Sequence, residues 1–319
     1  MMKKFLIVIL LSSLFLEAVS VLSPTKSIEV NGTVRDMVLV DNELIVGTDE
    51  GLLQVYDTQK NAFSKKITLP KIKDFMGDVV NTRVFSVDKL NKQYLLLSDS
   101  GEGGYSNLWI EREGKLQQLI FAKDKRAIIK ARFIDNKHIL LGYLSNEIAL
   151  FNIKTKTERY KKQLSESKFS DFSLNLDKGQ VVVACESGIL SIVDIHRGTV
   201  LQELKGINRD NVYKVAFREG IVTAAGQDRR AVIYNLKKGT NQFIEGSFLV
   251  YATGISPSSQ KVAFALDEEN NISIFNANTK EKLFILKGQK SILNNILFKD
   301  EKRLFSSSDD NTILVWNLN

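Results

Sequence analysis

Two histidines, His138 and His196, and one cysteine, Cys185, are all the imidazole and thiol groups in this 319-residue chain. Structural zinc is held by sets of Cys and His at short spacings. Two histidines predicted to lie in different repeats, with a single cysteine, cannot build such a site. Haem attachment through C-x-x-C-H is excluded for the same reason, and a lone cysteine forms no internal disulfide. Cys185 ends the apolar run Val181-Val182-Val183-Ala184 and reads as a buried strand residue. Gly101-Glu102-Gly103-Gly104 lacks the downstream Gly-Lys-Ser/Thr of a phosphate loop, so it reads as a flexible turn. Asp309-Asp310 is an adjacent carboxylate pair that precedes an aromatic strand. Paired acids can do proton-transfer work, but these two sit in a strand–turn–strand context that needs turn acids. No catalytic set, no cofactor and no metal site is expected.

The elements that carry these residues repeat. Seven times a bulky apolar residue, usually followed by Asn or Asp, closes a β-like run. The anchors are Tyr56-Asp57, Trp109-Ile110, Phe151-Asn152, Val193-Asp194, Tyr234-Asn235, Phe275-Asn276 and Trp316-Asn317. Successive anchors lie 41 or 42 residues apart, except for 53 between Tyr56 and Trp109. Each interval holds the same sequence of events. In the fifth repeat, strands are predicted over Tyr213–Phe217, Ile221–Ala225, Ala231–Leu236 and Asn241–Glu245, with a polar turn at 226–230. The inner strands are nearly continuous apolar runs, as expected when both faces are covered, and the last is polar, as an exposed edge should be.

Ser308-Asp309-Asp310-Asn311-Thr312-Ile313-Leu314-Val315-Trp316-Asn317 closely resembles the strand–turn–strand pattern of WD40 repeats, and a period near ~40–45 residues is theirs. Asp49, Asp228 and Asp310 fall in equivalent tight turns, and Ile255 to Gln260 is similar to the turn between the family's first two strands. Leu204-Lys205-Gly206 and Leu286-Lys287-Gly288 match the segment that precedes a histidine in the family. Ile207 and Gln289 stand in its place here, so the family's His–Ser/Trp–Asp network is expected to be absent, leaving the ring to apolar packing. The resemblance covers residues 28–319 and implies an all-β, seven-bladed WD40-like β-propeller. The last repeat lacks a fourth strand before Asn319, and the alternating Ile28-Glu29-Val30-Asn31 is expected to supply it and close the ring. Acids around the central channel of such a ring could hold calcium, but sequence does not place any there.

The second repeat carries about 11 extra residues. They fall in Pro70–Asp78, before its first strand, and in Ser98–Tyr105, between its second and third strands. Both segments open on the same face of a propeller, so they should be neighbours, and long loops on a rigid scaffold tend to carry function. Phe75 and Met76 lie off any strand period, Tyr105 follows three nearby glycines, and Lys71 and Lys73 add charge. These five residues are the candidate partner-binding set. The alternative is that Phe75 and Met76 fold back and cap the groove between the first two blades.

Residues 1–20 read as a secretory signal peptide, leaving 21–319 as the propeller. Lys3 and Lys4 precede the apolar Phe5–Leu16, and Ala18-Val19-Ser20 suits cleavage near Ser20–Val21. There is no twin arginine and no nearby cysteine, so a Sec-type, non-lipidated, periplasmic protein is expected; retention as an uncleaved anchor is the alternative. The formal charge is +7. For an exported chain this argues against nucleic acid and for an acidic partner or anionic surface, although lysines spread over most repeats also simply keep the ring soluble. Glu29-Val30-Asn31-Gly32-Thr33 and Glu269-Asn270-Asn271-Ile272-Ser273 fit the extended acceptor motif of bacterial N-glycosylation, which makes Asn31 and Asn271 candidate sites.

The leading functional expectation is a monomeric, non-catalytic interaction protein. In length, export signal, Lys/Ile/Asn-rich composition, single cysteine and repeat architecture the chain resembles the L-type accessory proteins (NapL) encoded with bacterial periplasmic nitrate reductases. That resemblance implies support for the maturation or activity of a reductase, with a reductase subunit as partner, and no cofactor of its own. The alternatives are a propeller enzyme of the lactonase or quinone-dehydrogenase kind, which the scarcity of histidine disfavours, and an envelope assembly scaffold, a class usually lipidated.

Overall fold

The computed structural model describes residues 19–319; residues 1–18, which include most of the expected signal peptide, lie outside it. Seven antiparallel four-stranded blades form a ring. In chain order their innermost strands are Val34–Val40, Val84–Leu90, Ile128–Phe133, Phe169–Leu174, Val212–Arg218, Thr253–Ile255 and Leu293–Phe298. In each blade the second and third strands are buried on both faces. His138–Tyr143 and Glu147–Asn152 show this well, with Ile139, Leu140, Leu141, Ile148 and Ala149 fully covered by neighbouring blades. The outer strands are polar, and Thr157–Gln163 presents Lys161 and Lys162 at an exposed edge, where charge blocks further pairing. The fifth blade follows its expected strands to within a residue, at Val212–Arg218, Ile221–Gly226, Arg230–Asn235 and Thr240–Glu245. Apart from one 3-10 turn at Ala122–Asp124 there is no helix among the described residues, hence none long and apolar enough to cross a membrane.

Closure follows the expected plan and adds to it. Lys26–Glu29 pairs antiparallel with Thr312–Asn317, placing Ile28 opposite Ile313 and completing the seventh blade. The seventh and first blades are also joined through Asn294 Nδ2, which donates to Val34 O at 2.8 Å, and through an Arg35–Asp309 ion pair at 3.2 Å. Unexpectedly, Ser20–Leu22 forms a fifth, parallel strand on the sixth blade, with Leu22 opposite Leu286. The N-terminal segment therefore crosses from the sixth blade to the seventh. Gly288 permits that crossing, because a Cβ there would sit 2.9 Å from Pro24 and its φ of +148° disfavours other residues.

The expectation that the His–Ser/Trp–Asp network is absent is wrong for the seventh blade. Trp316 is fully buried, and its indole N–H donates to Ser306 Oγ at 2.8 Å. Ser306 donates to Gln289 Oε1 at 2.7 Å, and Gln289 Nε2 donates to Ser308 Oγ at 2.6 Å. Ser308 donates in turn to Asp310 at 2.8 Å. Gln289 thus bridges where a histidine would. It can do so because a glutamine amide, like a neutral imidazole, offers one donor and one acceptor on the same side chain.

Candidate functional site

The channel is lined by residues that sequence periodicity alone could not aim. Near the start of most innermost strands the pairing shifts by a residue, between Val34 and Asp36, Ile128 and Lys130, Phe169 and Asp171, Val212 and Lys214, and Leu293 and Asn295. A bulge re-aims the side chain that follows it. Here it turns Asp36, Lys130, Asp171, Lys214 and Asn295 toward a central cavity of about 760 Å³. Arg132 forms a two-pronged pair with Asp36, at 2.9 and 3.0 Å. Lys130 pairs with Asp171 at 2.5 Å. These acids also bind the next blade in the ring: Asp36 Oδ2, shared with Arg132, accepts Val87 N–H, and the Asp171 oxygen that Lys130 leaves free accepts Val215 N–H, while Asp88 accepts Phe133 N–H.

Burial raises the Asp36 carboxyl, but the charges of Arg132 and Lys130 and the bidentate bond outweigh that and hold it below the usual range. Asp88 goes the other way, because burial outweighs the more distant cations. Burial pulls Lys130 down to about 8 against the opposing pull of Asp171. Lys214 makes no ion pair among the described residues. The channel acids are engaged by cations and backbone N–H groups, and no group of three His, Cys, Asp or Glu placed to hold a metal ion is found among the described residues. Asp309 and Asp310 likewise serve the fold. Asp310 caps Thr312 N–H at 2.7 Å, and Asp309 meets Arg35. His138 and His196 lie in the third and fourth blades, and His138 Nδ1 pairs with Asp135 at 3.0 Å. Cys185 is buried among Ser165, Ser187 and the Ile189 carbonyl.

The two insertions of the second repeat do meet. Pro70–Asp78 forms the first part of a small hairpin whose strands are Ile72–Lys73 and Val79–Val80. Its tip is built around Asp74, whose Oδ1 accepts the N–H groups of Met76 and Asp78, both at 2.9 Å, while Gly77 N–H returns to Asp74 O at 3.0 Å. Its base is tied by Thr82 Oγ1 donating to Pro70 O. The other insertion turns at Gly101, where a Cβ would lie 2.0 Å from Lys73 O at a φ of +76°. Only glycine allows that backbone-to-backbone approach. The turn is closed by Tyr105 N–H to Glu102 O at 2.9 Å and by Ser100 Oγ to Tyr105 O at 2.9 Å, so Tyr105 is held, not left on a loose tip.

Phe75 is 98% exposed and Met76 80% exposed, so they do not cap the groove between blades. Between the hairpin and the turn lies a cleft of about 840 Å³ lined by Ile72, Phe75, Val80, Phe85 and Tyr105. Lys71 and Lys73 are exposed but do not line it. Its charged lining consists instead of Asp49, Glu50, Asp74, Asp99, Glu102 and Arg83. Sequence reading missed the contribution of Asp49 and Glu50, which come from the first blade. Of the two candidate acceptor asparagines, Asn31 is exposed, whereas Asn271 is 6% exposed. Asn271 donates its amide to Asp267 and Glu269 at 3.1 and 2.9 Å. That geometry hides the Asn271 nitrogen from any enzyme acting on the folded chain.

The chain is a WD40-like seven-bladed β-propeller. Among the many solved chains it resembles is the β-propeller domain of Cps50 (Swd1) from Myceliophteria thermophila, at a TM-score of 0.70 and 14% identity, over 93% of this chain and 99% of that one. At that identity the likeness concerns the fold. No family model and no curated protein matches the sequence.

Proposed function

We propose that this chain is a non-catalytic periplasmic protein that uses the hairpin and adjoining turn of its second blade to hold a protein partner, and that the partner is a subunit of a periplasmic nitrate reductase. One observation carries the binding part of this reading. Phe75 and Met76 are displayed to solvent on a turn that Asp74 holds through two backbone N–H bonds. Large apolar side chains on a built turn, with nothing among the described residues to cover them, are what a protein interface uses as anchors. The non-catalytic part is supported by the channel, whose carboxylates face cations and backbone N–H groups. The location and the reductase are supported by the signal pattern of residues 1–20 and by the likeness to L-type accessory proteins. Purification of the tagged chain from the periplasm of a nitrate-respiring host tests the reading, together with nitrate reduction in a strain lacking the chain. Recovery of a reductase subunit and slowed reduction are expected. Neither subunit recovery nor any change on deletion would remove the reductase from the account.

A further inference from the structure

Phe75 and Met76 protrude, but the cleft beside them is concave, and its charge opposes that of the protein. The chain carries +7 overall. Around the cleft, Asp49, Glu50, Asp74, Asp99 and Glu102 face a single cation, Arg83. Arg83 is taken by Asp99, which accepts its N–H and Nε at 3.0 Å. Asp49 has Arg35 at 3.2 Å. Glu50 accepts only from the neutral Asn81 amide, Asp74 only from backbone N–H groups, and the exposed Glu102 has no side-chain partner among the described residues. Three carboxylates without a counter-cation therefore stand around an apolar floor of Ile72, Val80, Phe85 and Tyr105, with Phe75 protruding at its rim.

We propose that this cleft docks a basic, apolar segment of the partner: an exposed strand or loop carrying an aromatic or large aliphatic side chain between lysines or arginines. The proposal rests on the reading that the second-blade loops are the binding surface, and it names the chemistry they select. The apolar residue lies on the floor and the flanking cations meet Glu50, Asp74 and Glu102. The direction of the charge is the informative part, since the overall balance of the chain favours acidic partners. The cleft is a local reversal, and complementary charge at an interface rim chiefly sets which partner is accepted and how fast it arrives. Against the net positive charge of the chain, these uncompensated carboxylates supply a local attraction for a basic ligand.

The test uses the full mature chain and two fluorescent heptapeptides, Lys-Leu-Lys-Phe-Lys-Leu-Lys and its counterpart with Glu at every Lys, read by fluorescence anisotropy. Saturable binding of the basic peptide is expected, weakening as salt is added. The double variant Glu50→Lys with Glu102→Lys should weaken it about tenfold or more, since two rim ion pairs become repulsions. Phe75→Ser should weaken it while leaving the melting temperature unchanged. Equal or tighter binding of the acidic peptide, or a charge-reversed protein that binds the basic peptide as well as the parent does, would overturn the proposal. Concentration-dependent dimerisation abolished by the same charge reversal would also overturn it, assigning the cleft to a second copy of the chain. If the charge-reversed protein still recovers the periplasmic partner and the Phe75→Ser with Tyr105→Ser protein does not, the cleft chemistry fails while the binding surface stands.

Discussion

Gln289 Nε2 lies 2.6 Å from Ser308 Oγ, and through this bond a glutamine takes over the bridging task that a histidine performs in the related repeat. The chain Trp316–Ser306–Gln289–Ser308–Asp310 is buried along most of its length. Gln289→Ala should strand Ser306, whose hydroxyl donates to Gln289, and remove the donor to Ser308, costing about 2–4 kcal/mol. Gln289→His should restore most of that stability. Thermal or urea unfolding of the two variants is the check, and equal losses for both would show that packing, not hydrogen bonding, is what matters there.

Trp316→Ala is expected to cost about 3–5 kcal/mol, because a fully buried indole packed between the sixth and seventh blades leaves a cavity and takes away the donor to Ser306 Oγ. The loss should appear as a lower midpoint of the whole unfolding transition, since the seventh blade closes the ring. Wild-type unfolding of this variant would contradict the packing described.

Removing residues 21–31 deletes the outer strand of the seventh blade and the added strand of the sixth, exposing Thr312–Asn317 and Lys282–Leu286 as edges. Aggregation or a large fall in melting temperature is expected. Removing 21–23 alone spares the pairing of Ile28 with Ile313 and should have the smaller effect. Light scattering and thermal melts distinguish the two outcomes.

Asp36 and Asp88 should respond oppositely to pH. Asp36 has its folded-state pKa held below the ordinary 3.8, so its stabilisation is present above that value and is lost as pH falls through the folded-state value. Asp36→Asn leaves Arg132 buried without its charge partner and should cost about 3–5 kcal/mol at neutral pH. Asp88 is raised, so its contribution is present below 3.8 and is lost as pH rises through its folded-state value, making its charge a net cost at pH 7. Asp88→Asn keeps an oxygen to accept Phe133 N–H but gives up the acceptor for Lys89 N–H at 2.8 Å, so it should melt close to the parent at neutral pH and lose ground to it as pH falls toward 4. A large loss in Asp88→Asn would contradict this.

Much of the ring was legible because the inner strands must be apolar on both faces and the turns recur at fixed intervals. The four strands of the fifth blade and the closing role of Ile28 followed from those patterns alone. The channel was not legible, because a one-residue bulge turns Asp36, Lys130, Asp171 and Lys214 inward, and no alternation of residue types announces it. The glutamine bridge was missed because the motif specifies a histidine by name, whereas the blade needs only a donor and an acceptor in one side chain. At the candidate surface, the meeting of the two insertions could be read from propeller geometry, and Gly101 against Lys73 realises it. The polarity of the cleft could not, since Ile72 and Asp74 line it while Lys71 and Lys73 do not, and Asp49 and Glu50 reach it from another blade.

The central claim is that the second-blade loops hold a partner, and the double substitution Phe75→Ser with Tyr105→Ser tests it most directly. Partner recovery from periplasm and affinity for the recovered subunit are measured beside the melting curve. Because Phe75 is 98% exposed, folding should change little, while affinity should fall by about 2 kcal/mol or more. A protein that loses stability yet binds its partner with the parent's affinity would contradict the account and send the search to another face of the ring.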